Sequence, residues 1–163
     1  METEPKEIIP FPNEPAPCSP SGSGRYRKSK ILVIDDEPAN AELLEAILAD
    51  NGYQDVKAIT DSRIALETCR TFEPDLVLLD LMMPHVDGFA ILEELGSEPV
   101  GVSLPVIVLT ADESKETKLR ALNAGATDFI LKPFHLTEAL LRIERLLALR
   151  HQRVQFDSHR APT

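Results

Sequence analysis

Five short apolar runs, separated by stretches of helical periodicity, constrain this chain more than any other feature. Ile31-Leu32-Val33-Ile34, Leu76-Val77-Leu78-Leu79 and Val106-Ile107-Val108-Leu109 are continuous and rich in branched residues. Val56 to Thr60 and Phe129-Ile130-Leu131 are weaker members of the set. Continuous runs suit strands buried on both faces, as in a parallel sheet.

The intervening stretches read as helices. Pro38 suits the first turn of a helix with Leu43, Leu44, Ile47 and Leu48 on its apolar face, stopped by Asn51-Gly52. Ile64, Ala65, Cys69 and Phe72 form a second face, ended by Pro74. Asp87 caps a third helix carrying Ile91, Leu92 and Leu95 and closed by Gly96. The fourth, Glu113 to Ala124, is mostly polar, with Leu119 and Leu122 as its expected anchors and Gly125 as its stop. The fifth runs from about His135 to Arg150, with Leu136, Leu140, Ile143 and Leu147 on one stripe and Leu141, Leu146 and Leu149 off it. Strand and helix alternating five times predict an α/β protein, a doubly wound parallel sheet with helices on both faces. The pattern alone leaves the strand order open.

The ends differ from the body. Six of the thirteen prolines fall in residues 1–20, and Ser21-Gly22-Ser23-Gly24 follows. This is tail composition, with too little apolar surface to offset ordering entropy. The chain therefore divides into a Pro/Gly/Ser-rich tail (1–28), a folded domain (29–150) and a polar C-terminal tail (151–163). The basic cluster Arg25, Arg27, Lys28 and Lys30 reads as a solvated linker, and His85, His135, His151 and His159 as surface residues without ligand spacing.

The net charge of −10 is uneven. Residues 31–150 hold ten basic and twenty-two acidic side chains. A field of that sign repels nucleic acid and anionic lipid and suits a divalent cation or basic partners. No apolar run is long enough to span a bilayer, and the first thirty residues lack a signal-peptide pattern. A cytoplasmic protein is expected. Cys18 and Cys69 indicate neither a disulfide framework nor a zinc site.

In an open parallel sheet, ligands gather beyond the carboxyl ends of the strands. Strand 1 ends in Asp35-Asp36-Glu37, strand 3 in Asp80, strand 4 in Thr110 and strand 5 in Lys132-Pro133. An Asp at one strand end is most often a turn residue. Several carboxylates on one rim repel one another, and a hard cation such as Mg²⁺ relieves this while accepting phosphate oxygens. Lys132 and Thr110 supply a counter-charge and a hydroxyl donor. These parts suit phosphoryl transfer onto a carboxylate, with Asp80 as nucleophile.

The segment Ile31 to Glu37, Asp80 followed by Met83-Pro84 and Asp87-Gly88, Thr110-Ala111, Gly125-Ala126 and Lys132-Pro133-Phe134 resemble, in order and spacing, the receiver domain of two-component response regulators. The resemblance covers residues 29–150. It implies a five-stranded flavodoxin-like sheet in the order 2-1-3-4-5. It implies that Asp80 is the phosphoacceptor and that Asp36 and Asp80 ligate Mg²⁺ directly, with Asp35 acting through water and the Met82 backbone carbonyl completing the protein ligands. Thr110 and Lys132 then sense the phosphoryl group, Phe129 is the switch aromatic, and Lys132-Pro133 is expected to be cis. The implied partners are a sensor histidine kinase or phosphotransfer protein and a downstream effector, with a homodimer allowed through the face of helix 4, strand 5 and helix 5, and no contact with nucleic acid or membrane. The implied role is a signalling domain capable of self-phosphotransfer and autodephosphorylation, not an enzyme. Met82 and Asp112 depart from many relatives where they flank the path of a hydrolytic water, and Gly96 to Leu104 is long for the family.

Three rivals remain. A haloacid-dehalogenase-type phosphohydrolase requires a second Asp two residues past the nucleophile, where Met82 stands. A flavodoxin-like cofactor binder requires a Ser/Thr/Gly-rich phosphate loop, where Asp35-Asp36-Glu37-Pro38 would repel phosphate. A scaffold that never takes phosphate should lack the acceptor or the Lys, and both are present.

Overall fold

A computed structural model describes residues 26–97 and 104–159. The elements follow the expected alternation: β1 (Lys30–Ile34), α1 (Pro38–Asp50), β2 (Asp55–Ile59), α2 (Ala65–Phe72), β3 (Leu76–Asp80), α3 (Gly88–Ser97), β4 (Val106–Thr110), α4 (Lys115–Ala124), β5 (Asp128–Leu131) and α5 (Leu136–His159). The strands form one parallel sheet in the order β2-β1-β3-β4-β5. This is the flavodoxin-like order that the resemblance implied. Most of the segment from Gly96 to Leu104 lies outside the described residues, as do residues 1–25 and 160–163.

The continuous apolar runs are explained by two layers of helices. All residues of β3 and β4 are buried. Successive side chains point to opposite faces of a strand. Leu32, Ile34, Val77, Leu79, Val106 and Val108 pack with Ala65, Cys69, Ile91, Leu92, Leu95 and Ala121 from α2, α3 and α4. Ile31, Val33, Leu76, Leu78, Ile107, Leu109 and Ile130 pack with Leu44, Leu48, Ile143 and Leu147 from α1 and α5. Each fully buried Leu or Ile contributes about 1.5–3 kcal/mol. Both faces of the sheet are needed to bury these runs, and the helices must therefore lie on both.

Leu43 in α1 and Ile64 just before α2 were expected on apolar faces but stay 57% and 44% exposed. Helices α4 and α5 differ more. In α4, Leu119 and Leu122 are 51% and 53% exposed, and Ala121 is the buried residue. Ala121 is the α4 residue that joins the core cluster holding Leu92 and Leu95 of α3. A Cβ at Gly96 would lie 3.4 Å from the Ala124 carbonyl oxygen, and one at Gly125 would lie 4.0 Å from that of Leu92. Gly125 ends α4 in the left-handed region, at φ 112°. Ser114 begins it, its hydroxyl oxygen accepting from the Thr117 N–H, so the helix starts two residues later than expected.

Helix α5 does not stop at Arg150 but continues to His159 through residues expected to form a polar tail. The sequence from Leu136 to His159 contains no Gly or Pro to break it. His151 is half-buried, not a surface residue. Its ring stacks on Tyr26 at 5.2 Å, and Nε2 lies 3.0 Å from the buried Ser29 hydroxyl. Arg150 pairs with Asp75, whose other oxygen accepts from the Lys30 N–H. The basic segment before β1 is thus partly packed. Leu146 joins the core, while Leu136, Leu141 and Leu149 stay exposed. No helix among the described residues is long and apolar enough to cross a membrane.

Candidate functional site

Parallel strands put all their carboxyl ends on one edge, and register decides which ends meet. Ile34 lies opposite Leu79, so Asp35 and Asp36 leave β1 beside Asp80 at the end of β3. Asp80 lies opposite Leu109, which sets Thr110 one step beyond it on β4. Thr110 lies opposite Leu131, and its carbonyl accepts from the Lys132 N–H at 2.8 Å. Residues distant in sequence therefore share one rim.

Asp35, Asp36 and Asp80 each offer a carboxylate oxygen within 4.8 Å of the others. Asp35 is fully buried. One of its oxygens accepts from the Glu37 N–H at 3.0 Å, and the other takes the Lys132 ammonium at 3.1 Å. Asp80 is also buried. Oδ1 accepts from the Met82 N–H at 3.0 Å, and Oδ2 lies 3.4 Å from Lys132 Nζ. The Lys132–Pro133 peptide bond is cis. Three carboxylates this close match the hard oxygen donors a small divalent cation takes, while the Lys132 ammonium balances part of their charge.

Comparison with known proteins agrees with this geometry. Residues 31–144 match the family model of the response regulator receiver domain. The chain belongs to that family. It is similar to response regulator MprA of Mycolicibacterium vanbaalenii, at 43% identity over 118 residues, covering 72% of this chain and 50% of the relative. It thus spans about half the length of the curated relatives it matches. Among solved structures, it is similar to a chemotaxis protein of Vibrio cholerae, with a TM-score of 0.69, 28% identity, and coverage of 73% and 98% of the two chains. It is also similar to the receiver domain of a sensor histidine kinase from Pseudomonas aeruginosa, with a TM-score of 0.68 and 29% identity, covering 74% and 98%. That structure has a magnesium ion coordinated in its active-site cleft.

The electrostatics of this receiver domain centre on Asp80. Burial holds its carboxyl above the usual carboxylate range. The charge on Asp35 pushes the same way, while the Met82 N–H and Lys132 pull it back without overcoming the burial. Thr110 is buried, and its hydroxyl oxygen accepts from the Asp112 N–H at 3.2 Å, which turns it toward its own loop. Asp112 goes on to accept from the Ser114 N–H and the Thr117 hydroxyl, which holds its own carboxyl below the usual range. Met82 is 69% exposed.

Phe129 is half-buried on β5, and the Lys118 ammonium of α4 lies 5.7 Å from its ring centroid. Asp87 begins α3 as expected, with Oδ1 accepting from the Phe89 N–H at 3.1 Å. Its second oxygen meets Arg120 of α4 at 3.3 Å. Neither Arg120 nor Lys118 stood out in the sequence. Both act across elements, Lys118 on Phe129 and Arg120 on Phe89, and no local pattern marks a charge that will meet a ring on another element.

Proposed function

We propose that this receiver domain accepts a phosphoryl group on Asp80 from the phosphohistidine of a sensor histidine kinase or phosphotransfer protein. A side-chain oxygen of Asp80 attacks phosphorus, the phosphorus–nitrogen bond breaks, and the imidazole leaves and takes up a proton. The single observation behind this reading is the convergence of Asp35, Asp36, Asp80 and Lys132 on one sheet edge.

Lys132 is placed to balance charge on the incoming phosphoryl oxygens, since its ammonium already reaches Asp80. The Thr110 hydroxyl donates to the same oxygens once it turns from its loop. Asp36, Asp80 and the Met82 carbonyl would hold Mg²⁺, with Asp35 acting through water, and the ion would supply further charge neutralisation. Movement of Thr110 opens space that Phe129 can enter, repacking the face of α4, β5 and α5 toward an effector. A near-complete flip requires about 10⁴-fold preference of the phosphoryl group for one state. The domain then performs only self-phosphotransfer and autodephosphorylation, in the cytoplasm with its kinase.

Incubation with acetyl phosphate and Mg²⁺ tests the assignment. Mass spectrometry should find one phosphoryl group on the wild type and none on Asp80→Asn. Equal labelling of the variant refutes the acceptor. Multiple turnovers of a small phosphomonoester without a kinase would show a hydrolase instead.

A further inference from the structure

Helix α4 is thinly held for an element beside the site. Ala121 is its buried residue, and its leucines face outward. A second tie comes from Arg120. Its guanidinium carbon lies 3.8 Å from the Phe89 ring centroid, and one terminal nitrogen lies 3.3 Å from Asp87 Oδ2. Asp87 and Phe89 flank Gly88, the first residue of α3. A Cβ on Gly88 would stand 2.7 Å from the Leu81 Cα and 2.9 Å from the Asp80 carbonyl oxygen. The start of α3 is therefore pressed against the peptide that carries Asp80, with no room to slide.

From these contacts we infer that Arg120 is a positioning residue, a latch that joins α4 to the backbone of Asp80 through Phe89 and Asp87. This route is separate from the one through Thr110 and Phe129. The latch stabilises the arrangement in which the Thr110 oxygen is held by the Asp112 N–H and Phe129 lies near Lys118. Releasing it frees α4 and shifts the population away from that arrangement. An exposed ion pair alone contributes little. A planar guanidinium that stacks on a ring while pairing with a carboxylate makes two contacts with one rigid group, and a lysine cannot reproduce both.

Coupling to phosphorylation rests on the reading of Asp80 as acceptor, whereas the latch itself does not. Hydrogen exchange on the full chain without any phosphodonor reads the latch. Arg120→Gln and Phe89→Leu should each speed exchange of the α4 amides about threefold, and the double variant should do no more than either single. Phe89→Tyr keeps the ring and should match the wild type. Unchanged exchange in Arg120→Gln, or fully additive effects, overturns the latch.

Acetyl phosphate labelling with Mg²⁺ reads the coupling. Arg120→Gln should take up label about threefold faster, because freeing α4 raises the fraction of molecules in the labelling-competent arrangement. An unchanged labelling rate overturns the coupling. A wild type that takes no label refutes the acceptor reading and the coupling with it, while the exchange result still decides the latch.

Discussion

Lys132 Nζ stands 3.1 Å from Asp35 Oδ2, a carboxylate oxygen on a side chain with no exposed surface. Removing the ammonium leaves a buried charge without its cation, beside two more carboxylates. Lys132→Met should therefore destabilise the domain by about 3 kcal/mol at neutral pH, at the low end for a broken buried pair because Lys132 is itself partly exposed. Urea denaturation measures this, and millimolar Mg²⁺ should recover part of the loss.

Asp80→Asn should act in the opposite direction. A carboxyl held above its ordinary range favours its protonated form in the fold. Below the unfolded value the group is protonated in both states and costs nothing. As pH rises through the unfolded and then the folded value, ionisation is harder in the folded state, and stability falls. The Asn variant escapes that loss. It should melt higher than the wild type at neutral pH, with the gap narrowing as the pH is lowered toward 4. Parallel melting curves at every pH would contradict the burial of an ionised Asp80.

Mg²⁺ should raise the melting temperature of the wild type. Ligand that binds only the folded state stabilises it by about 1.4 kcal/mol at tenfold over its dissociation constant. Asp36→Asn should remove most of the shift, since Asp36 is one of the three carboxylates in the cluster. A melting point that does not move at millimolar Mg²⁺ would exclude the metal site.

Gly88→Ala tests how tightly α3 is pressed against the acceptor strand. The new methyl group would meet backbone atoms of Leu81 and Asp80 rather than a flexible side chain. A cost of about 2–3 kcal/mol is expected, as for overpacking in a core. Acetyl phosphate labelling should fall as well, because relief of the clash displaces Asp80. Wild-type stability in this variant would show that the α3 start has room to move.

The sheet and most helix boundaries were legible because they follow local rules. Branched apolar runs mark β1, β3 and β4, while Pro38, Asp87 and Gly125 mark helix ends where the structure has them. The acidic pair, Asp80, Thr110 and Lys132 were legible as strand-end residues. Resemblance supplied the strand order that brings them together, and the structure shows that order. Leu119 and Leu122 misled because periodicity identifies an apolar face but not the distance to its neighbour. The α4 residue that reaches the core beside Leu92 and Leu95 of α3 is Ala121. The end of α5 was misread because polar composition does not stop a helix that meets no Gly or Pro, and at Arg150 and His151 it is tied to Asp75, Ser29 and Tyr26.

The sequence by itself determined the alternation of strands and helices, the two-sided burial of the sheet and the residues standing at its carboxyl edge, since each depends on neighbours a few positions away. Only the tertiary structure decided that Lys132 reaches both Asp35 and Asp80, that Arg120 grips Phe89 and Asp87, and that α5 runs on to His159. Those contacts join groups tens of residues apart, and their geometry is set by how close packed elements approach, which no local pattern encodes.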